Sequence, residues 1–199
     1  MTLLARTTRF TWGRLPHWEI EGGRYFVTVR YRDSLPADVV ERLREVNRSL
    51  QQTQAASPAF AQLQRQYFLT MEKFLDRGTG EAPLRHAAAA DALAACFANL
   101  AGNAVFVTHY TIMPNHWHAL IELGNGGSHD LHATMTRLKG ASARAVNVAI
   151  GRSGTLWQRE WFDRWMRSEA EWQKCRDYIR ANPVKAGIVK DWRDHAWTK

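Results

Sequence analysis

From Gly22 the chain reads GGRYFVTVRYRD, in which Tyr25, Val27, Val29 and Tyr31 alternate with Phe26, Thr28, Arg30 and Arg32. A period of two, rich in β-branched and aromatic residues and preceded by a Gly-Gly break, predicts a strand. The period then lengthens. In LPADVVERLREVNRSLQQ the residues Val39, Val40, Leu43, Val46 and Leu50 recur at helical spacing behind Pro36, which stands where a helix can begin. Residues 51–84 are rich in Gln and Ala and broken at Pro58 and at DRGTGEAP, which predicts one or two extra helical pieces and a loop, with no chemistry to be identified in them. The alanine-dense LRHAAAADALAACFANLAG predicts a packed helix stopped at Gly102.

Two strand-like runs follow in NAVFVTHYTIMPNHWHALIEL, joined by a Met-Pro-Asn turn, so an antiparallel hairpin is the simplest reading. After GNGGSHD, helical spacing returns at Leu131, Met135, Leu138, Ala145 and Val148, interrupted only by Gly140. Trp157, Trp161 and Trp165 in TLWQREWFDRWMRS fit a period of two and a spacing of four equally well; the aromatic content favours a strand, with these rings in the core. EAEWQKCRDYIRAN predicts a short helix ended by Pro183, with Gly187 in the next turn. With that last helix set aside the order is βαββαβ. The expected fold class is therefore α+β, a ferredoxin-like antiparallel sheet with helices on one face and the C-terminal helix against the other.

Composition changes the picture modestly. The 199 residues, 45% hydrophobic and 23% charged, suit one globular domain spanning 1–199, with a helical insertion at about 38–84. The formal charge is +8, and residues 137–199 hold fourteen of the 27 Lys and Arg against seven acidic residues. Such asymmetry favours a polyanion, nucleic acid before membrane, because no basic stretch with a strong apolar face stands out. Two cysteines without CxxC spacing suggest neither a disulfide framework nor a zinc ribbon. No apolar run approaches the roughly 20 residues needed to span a bilayer, and a cytoplasmic location is expected.

The candidate chemistry lies in MPNHWHALIEL. Strand side chains alternate, so His116 and His118 share a face and Trp117 takes the other. Two imidazoles make half of a metal site, though the same pair serves equally as ordinary polar residues of a strand face. Tyr178 and Asn182 are four apart on one helix face, and the Asn182 amide oxygen can complete a two-His, one-oxygen set. The plain alternative makes Tyr178 a core aromatic and Asn182 a helix-ending residue.

YTIMPNHWHALIEL, RLKGASARAVN, GTLWQREWFDR and DYIRANPVKAGIV, in this order and spacing and behind the GGRYFVTV strand, resemble the REP-associated tyrosine transposases, a branch of the single-tyrosine HUH nucleases. The resemblance covers roughly residues 19–35 and 85–192. It implies a ferredoxin-like domain that nicks and rejoins single-stranded or hairpin DNA through a covalent phosphotyrosine. His116 and His118 are then the HUH metal ligands, Tyr178 the nucleophile and Asn182 the third metal contact, where related transposases often have Gln. The stretch from about 38 to 84 receives no role from the resemblance.

A divalent cation, Mg²⁺ or Mn²⁺, fits that donor set, manganese accepting imidazole more readily. Arg137, Lys139 and Arg144 near one helix, and Arg176, Arg180 and Lys185 near Tyr178, are the candidate phosphate contacts. His109, His129, His132 and His195 have no partner by spacing. A monomer is expected, with a dimer the alternative. Two other functions compete: a metal-dependent phosphoesterase that uses water, and a non-catalytic nucleic-acid-binding domain.

Overall fold

A computed structural model describes residues 7–78, 80–100, 104–124 and 130–199. Its centre is a four-stranded antiparallel sheet of β3 (Arg24–Arg30), β4 (Val105–Met113), β5 (His116–Leu123) and β6 (Phe162–Trp165), in the order β4-β5-β3-β6. Helices α3 (Ala87–Ala98) and α4 (Leu131–Ala149) supply the crossovers, which gives the ferredoxin-like βαββαβ path. Two strands that the hydrophobic pattern does not predict, β1 (Thr7–Trp12) and β2 (Pro16–Ile20), form a separate antiparallel ribbon. Residues 38–84 hold most of α1 (Ala37–Gln51) and all of α2 (Pro58–Leu75), and α5 (Glu169–Lys185) closes the main chain of elements.

Strand alternation divides the molecule into two cores. Tyr25, Val27, Val29, Trp117, Ala119 and Ile121 face α3 and α4 and are buried with Leu93, Leu131, Met135 and Leu138. Trp157 and Trp161 belong to that core, and Trp165 packs on it while half-buried. On the opposite face Phe26 and Leu120 pack with Val39, Leu43, Met71, Leu75 and Ile179, so α1 and α2 join α5 over the side that carries His116 and His118. Burial of a Leu or Phe side chain contributes about 1.5–3 kcal/mol. The second core therefore stabilises the packing of α2 and α5 against the polar strand face.

The ends of these helices follow from local chemistry. Ser57 accepts a hydrogen bond from the Phe60 amide at 3.1 Å, with Pro58 in the first turn, which fixes the start of α2. Glu19 on β2 accepts from the amides of Leu131 and His132 at 2.7 and 3.0 Å, tying the ribbon to the N-terminus of α4. The expected stop at Pro183 is corrected: α5 runs through it to Lys185. Pro183 lies in the last turn, where its missing N–H removes a single helical bond. The helix then closes through the Gly187 amide to Val184 O and the Ile188 amide to Pro183 O, both 2.9 Å, with Gly187 at φ 70°. This is the glycine-dependent Schellman ending, displaced a few residues beyond the proline. The glycine stop expected at Gly102 lies outside the described residues.

Candidate metal and nucleophile site

β5 pairs with β3 on one side and β4 on the other, which fixes the directions of its side chains. His116 and His118 are fully buried on one face, their ring centroids 4.8 Å apart, while Trp117 is buried in the opposite core. Each imidazole is oriented through Nδ1. That atom of His116 lies 2.7 Å from Asn115 Oδ1, and that of His118 lies 2.8 Å from Thr28 Oγ1. Asn115 in turn donates to Leu75 O at 3.5 Å. With Nδ1 engaged, the Nε2 lone pairs face inward, as metal-binding histidines require.

α2 delivers the residue that the sequence reading missed. Glu72 is buried, and its Oε2 lies 3.2 Å from His118 Nε2. Glu72, His116 and His118 each offer a ligand atom within 4.8 Å of the others'. Glu72 shares the inward face of α2 with Phe68 one turn before it and Leu75 one turn after, so a carboxylate stands where an apolar residue is expected. A buried acid on an apolar helical face is itself a signal, since an unpaired buried charge is costly.

Tyr178 completes the cluster. Its hydroxyl donates a short hydrogen bond to Glu72 Oε2 and accepts one from Asn182 Nδ2 at 3.2 Å. The Tyr178 ring packs edge-on against Phe26, Phe68 and His118, with centroids 5.5–5.9 Å away. Lys185 at the end of α5 reaches Asp76 at the end of α2 at 2.6 Å and pins the two helices together. Asn182 is buried beside Tyr178, and its Oδ1 has no hydrogen-bond partner.

The electrostatics are those of a cation site. His116 Nε2, Glu72 Oε1 and Asn182 Oδ1 are buried atoms without hydrogen-bond partners among the described residues, and His118 Nε2 faces Glu72 Oε2 at 3.2 Å. A divalent ion fits them: two nitrogens and one or two oxygens, one of them anionic, suit Mn²⁺ and tolerate Mg²⁺. Burial and the neighbouring His118 charge hold the His116 pKa down at about 3, favouring the neutral ligand form. Burial alone would raise that of Glu72, but the charges and hydrogen bonds of His118, His116 and Tyr178 prevail and hold it at about 2. The Tyr178 phenol is raised by burial and then by the Glu72 charge.

The other candidates are scattered. Arg137 and Arg144 are exposed on α4, across the sheet from the histidine pair, and the Lys139 ammonium donates to the carbonyls of Gln158 and Arg159. Arg176, Arg180 and Lys185 share α5 with Tyr178; Arg176 pairs with Asp177 at 2.9 Å, and the Arg180 guanidinium lies 4.6 Å from the Trp192 ring centre. His109 and His195 are bonded locally to Thr108 and Thr198, His132 lies beside Trp161, and His129 is outside the described residues. Missed altogether is His17, buried between Asp163 and Glu160 on the ribbon side. Among the described residues no helix is long and apolar enough to cross a membrane.

A family model described as "Transposase IS200 like" matches residues 84–182, from the turn before α3 through Asn182. Glu72 lies outside that span. Among solved structures, a REP-associated tyrosine transposase bound to a REP hairpin shares 19% identity at a TM-score of 0.52, covering 94% of this chain and 82% of its own. That likeness is one of fold. A transposase crystal structure from Deinococcus radiodurans R1 shares 15% identity over 86% of this chain and 97% of its own, and its TM-score of 0.34 supports nothing further. No curated protein matches the sequence.

Proposed function

The chain belongs to the IS200-like transposase family, and from that premise we propose that it nicks and rejoins single-stranded DNA through a covalent 5′-phosphotyrosine at Tyr178. The observation that carries the proposal is the meeting of Tyr178 with His116 and His118 around one carboxylate, all within one chain. His116, His118 and Glu72 hold the divalent ion, Mg²⁺ or Mn²⁺, with the Asn182 oxygen as a further ligand. When bound, that ion supplies charge neutralisation at the scissile phosphate.

The protein's own groups do the rest. Tyr178 is held edge-on by Phe26 and Phe68, which fixes the direction of its oxygen. As that oxygen bonds to phosphorus, the bond to the 3′ oxygen breaks and one fragment leaves with a free 3′-hydroxyl. The hydrogen bond to Glu72 Oε2 orients the phenolic hydroxyl, and over the whole step its proton ends on the departing 3′ oxygen. An unperturbed tyrosine is ionised only about once in a thousand molecules at neutral pH, and burial beside Glu72 makes the neutral phenol the resting form of Tyr178. The phosphotyrosine conserves the broken ester for attack by another 3′-hydroxyl, and strand transfer then needs no nucleotide hydrolysis.

The substrate is hairpin DNA of the REP type with a single-stranded flank, a reading supported by the relative bound to a REP hairpin. That Tyr178 lies against the histidines of its own chain supports a monomer as the working unit. Incubation with 5′- and 3′-labelled single-stranded oligonucleotides and Mn²⁺ tests the proposal. The expected product is a covalent adduct on the 5′ phosphate of one fragment, and mass spectrometry of a tryptic digest should place it on Tyr178. Cleavage without an adduct would favour the water-using phosphoesterase, and binding without cleavage a non-catalytic DNA-binding domain.

A further inference from the structure

Between α1 and the sheet lies a cavity of about 430 Å³, within the ~300–1,000 Å³ usual for ligand clefts. Among the described residues, four that line it are Arg14, Arg30, Arg44 and Arg48, and the only acidic one is Glu160. Glu160 is already engaged by the amides of Arg14 and Leu15 and by His17. Arg44 and Arg48 share the exposed Glu41 at 2.9 Å each, so the lining keeps a net positive charge centred on Arg14 and Arg30.

Arg30 distinguishes this cavity from a solvated basic patch. Its residue is 8% exposed, and its guanidinium donates only to neutral groups: the carbonyls of Tyr31 and Arg32 and the Ser34 hydroxyl, at 3.2–3.4 Å. A buried guanidinium facing a cavity without a carboxylate partner is a costly arrangement that a bound anion relieves. Register places it at the reactive site. On β3, Arg30 lies opposite His116 and Thr28 opposite His118, on the metal-facing side of the sheet. Arg44 and Arg48 on α1 line the same cavity, and Tyr67 adds an aromatic ring.

We propose that this cavity holds an unpaired nucleotide next to the scissile phosphodiester, its phosphate on Arg30, its neighbouring phosphates on Arg44 and Arg48, and its base against Tyr67. The proposal rests on the nicking reading for its substrate class and gives the α1–α2 segment a binding role. Guanidinium groups suit phosphate oxygens through paired donors, and base–aromatic stacking tolerates any base. The flank of the hairpin thereby enters between α1 and the sheet and reaches His116 along β3.

The test measures binding in a Tyr178→Phe background, where cleavage plays no part. A fluorescent DNA hairpin with a short single-stranded flank is titrated against the parent, Arg44→Ala/Arg48→Ala, Val40→Trp and Arg30→Gln, each checked by thermal melting; the same hairpin without its flank is the control. The expected result is about tenfold weaker binding of the flanked hairpin by the double variant and by Val40→Trp, which fills the cavity mouth, with the blunt hairpin unchanged. The salt slope of the double variant should fall by about 1.4, the amount for two single-strand phosphate contacts. Affinity within twofold of the parent for both variants, at unchanged slope, overturns the proposal. If Arg30→Gln fails to fold, these two exposed or half-buried substitutions still decide it. Formation of the adduct by the unmutated chain is scored separately, so failure of the nicking reading and failure of the cavity assignment give different results.

Discussion

Tyr178 and His118 share one oxygen: Glu72 Oε2 accepts the phenolic hydrogen bond and lies 3.2 Å from His118 Nε2. The imidazole and the phenol are thus coupled through an acid on α2. Glu72→Gln keeps the shape and removes the charge, so calorimetric titration should show Mn²⁺ affinity at least about tenfold weaker, a loss of ~1.4 kcal/mol, with adduct formation falling as well. His116→Ala and His118→Ala should abolish Mn²⁺ binding while DNA affinity stays near the parent value. Unchanged Mn²⁺ affinity in Glu72→Gln would remove that carboxylate from the ligand set.

Replacing the phenol with Phe separates chemistry from packing. Tyr178→Phe keeps the contacts with Phe26 and Phe68 and loses two hydrogen bonds, one of them to the Glu72 carboxylate, a cost of about 2–4 kcal/mol. Fold and DNA binding should survive, and Mn²⁺ affinity should hold or rise because Oε2 is released. The covalent adduct should vanish. Strand cleavage at near the parent rate would instead assign the reaction to water.

The sequence displayed the H-x-H strand and the tyrosine helix because each has a local period: two for His116 and His118, nearly four for Tyr178 and Asn182. The βαββαβ path also followed from the alternation of elements. Glu72 was not legible, because its role exists only when α2 folds back across the sheet, and nothing within TMEKFL names a partner more than forty residues away. His17 and the β1–β2 ribbon were hidden for the same reason: Asp163 and Glu160, which give His17 its meaning, are contributed from the other end of the chain. Pro183 misled the helix boundary because a proline in a last turn interrupts little, and the residue that ends α5 is Gly187.

Lys139 should behave as a structural residue. Burial lowers its pKa to about 8, and its ammonium donates to two carbonyls beside the Trp161 ring. Hydrogen bonds to a charged group contribute about 1.5–3 kcal/mol. Lys139→Met should therefore lower the midpoint of urea denaturation and leave the salt slope of DNA binding unaltered. A slope reduced by about 0.7 in this variant, at parent stability, would make Lys139 a phosphate contact.

His17 sets a pH dependence of stability. Burial alone would lower its pKa, but hydrogen bonds and charges from Asp163 and Glu160 prevail and raise it from 6.5 to about 9. A folded-state pKa above the unfolded one means that the contribution is complete below about pH 6.5 and is lost as pH rises through 9, amounting to at most roughly 3 kcal/mol. Asp163 accentuates this, because burial raises its pKa and its ionised form is best tolerated beside a charged His17. Lys139 acts in the opposite direction above pH 8, since losing its proton relieves a buried charge. Comparison with His17→Gln removes that contribution. Urea midpoints measured from pH 6 to 9 should fall for the parent, whereas His17→Gln should be less stable at pH 6 and should not fall across the window, rising above pH 8 as Lys139 loses its proton. Equal slopes for the two proteins across this window would show that the Asp163–His17–Glu160 cluster carries no protonation-linked stability.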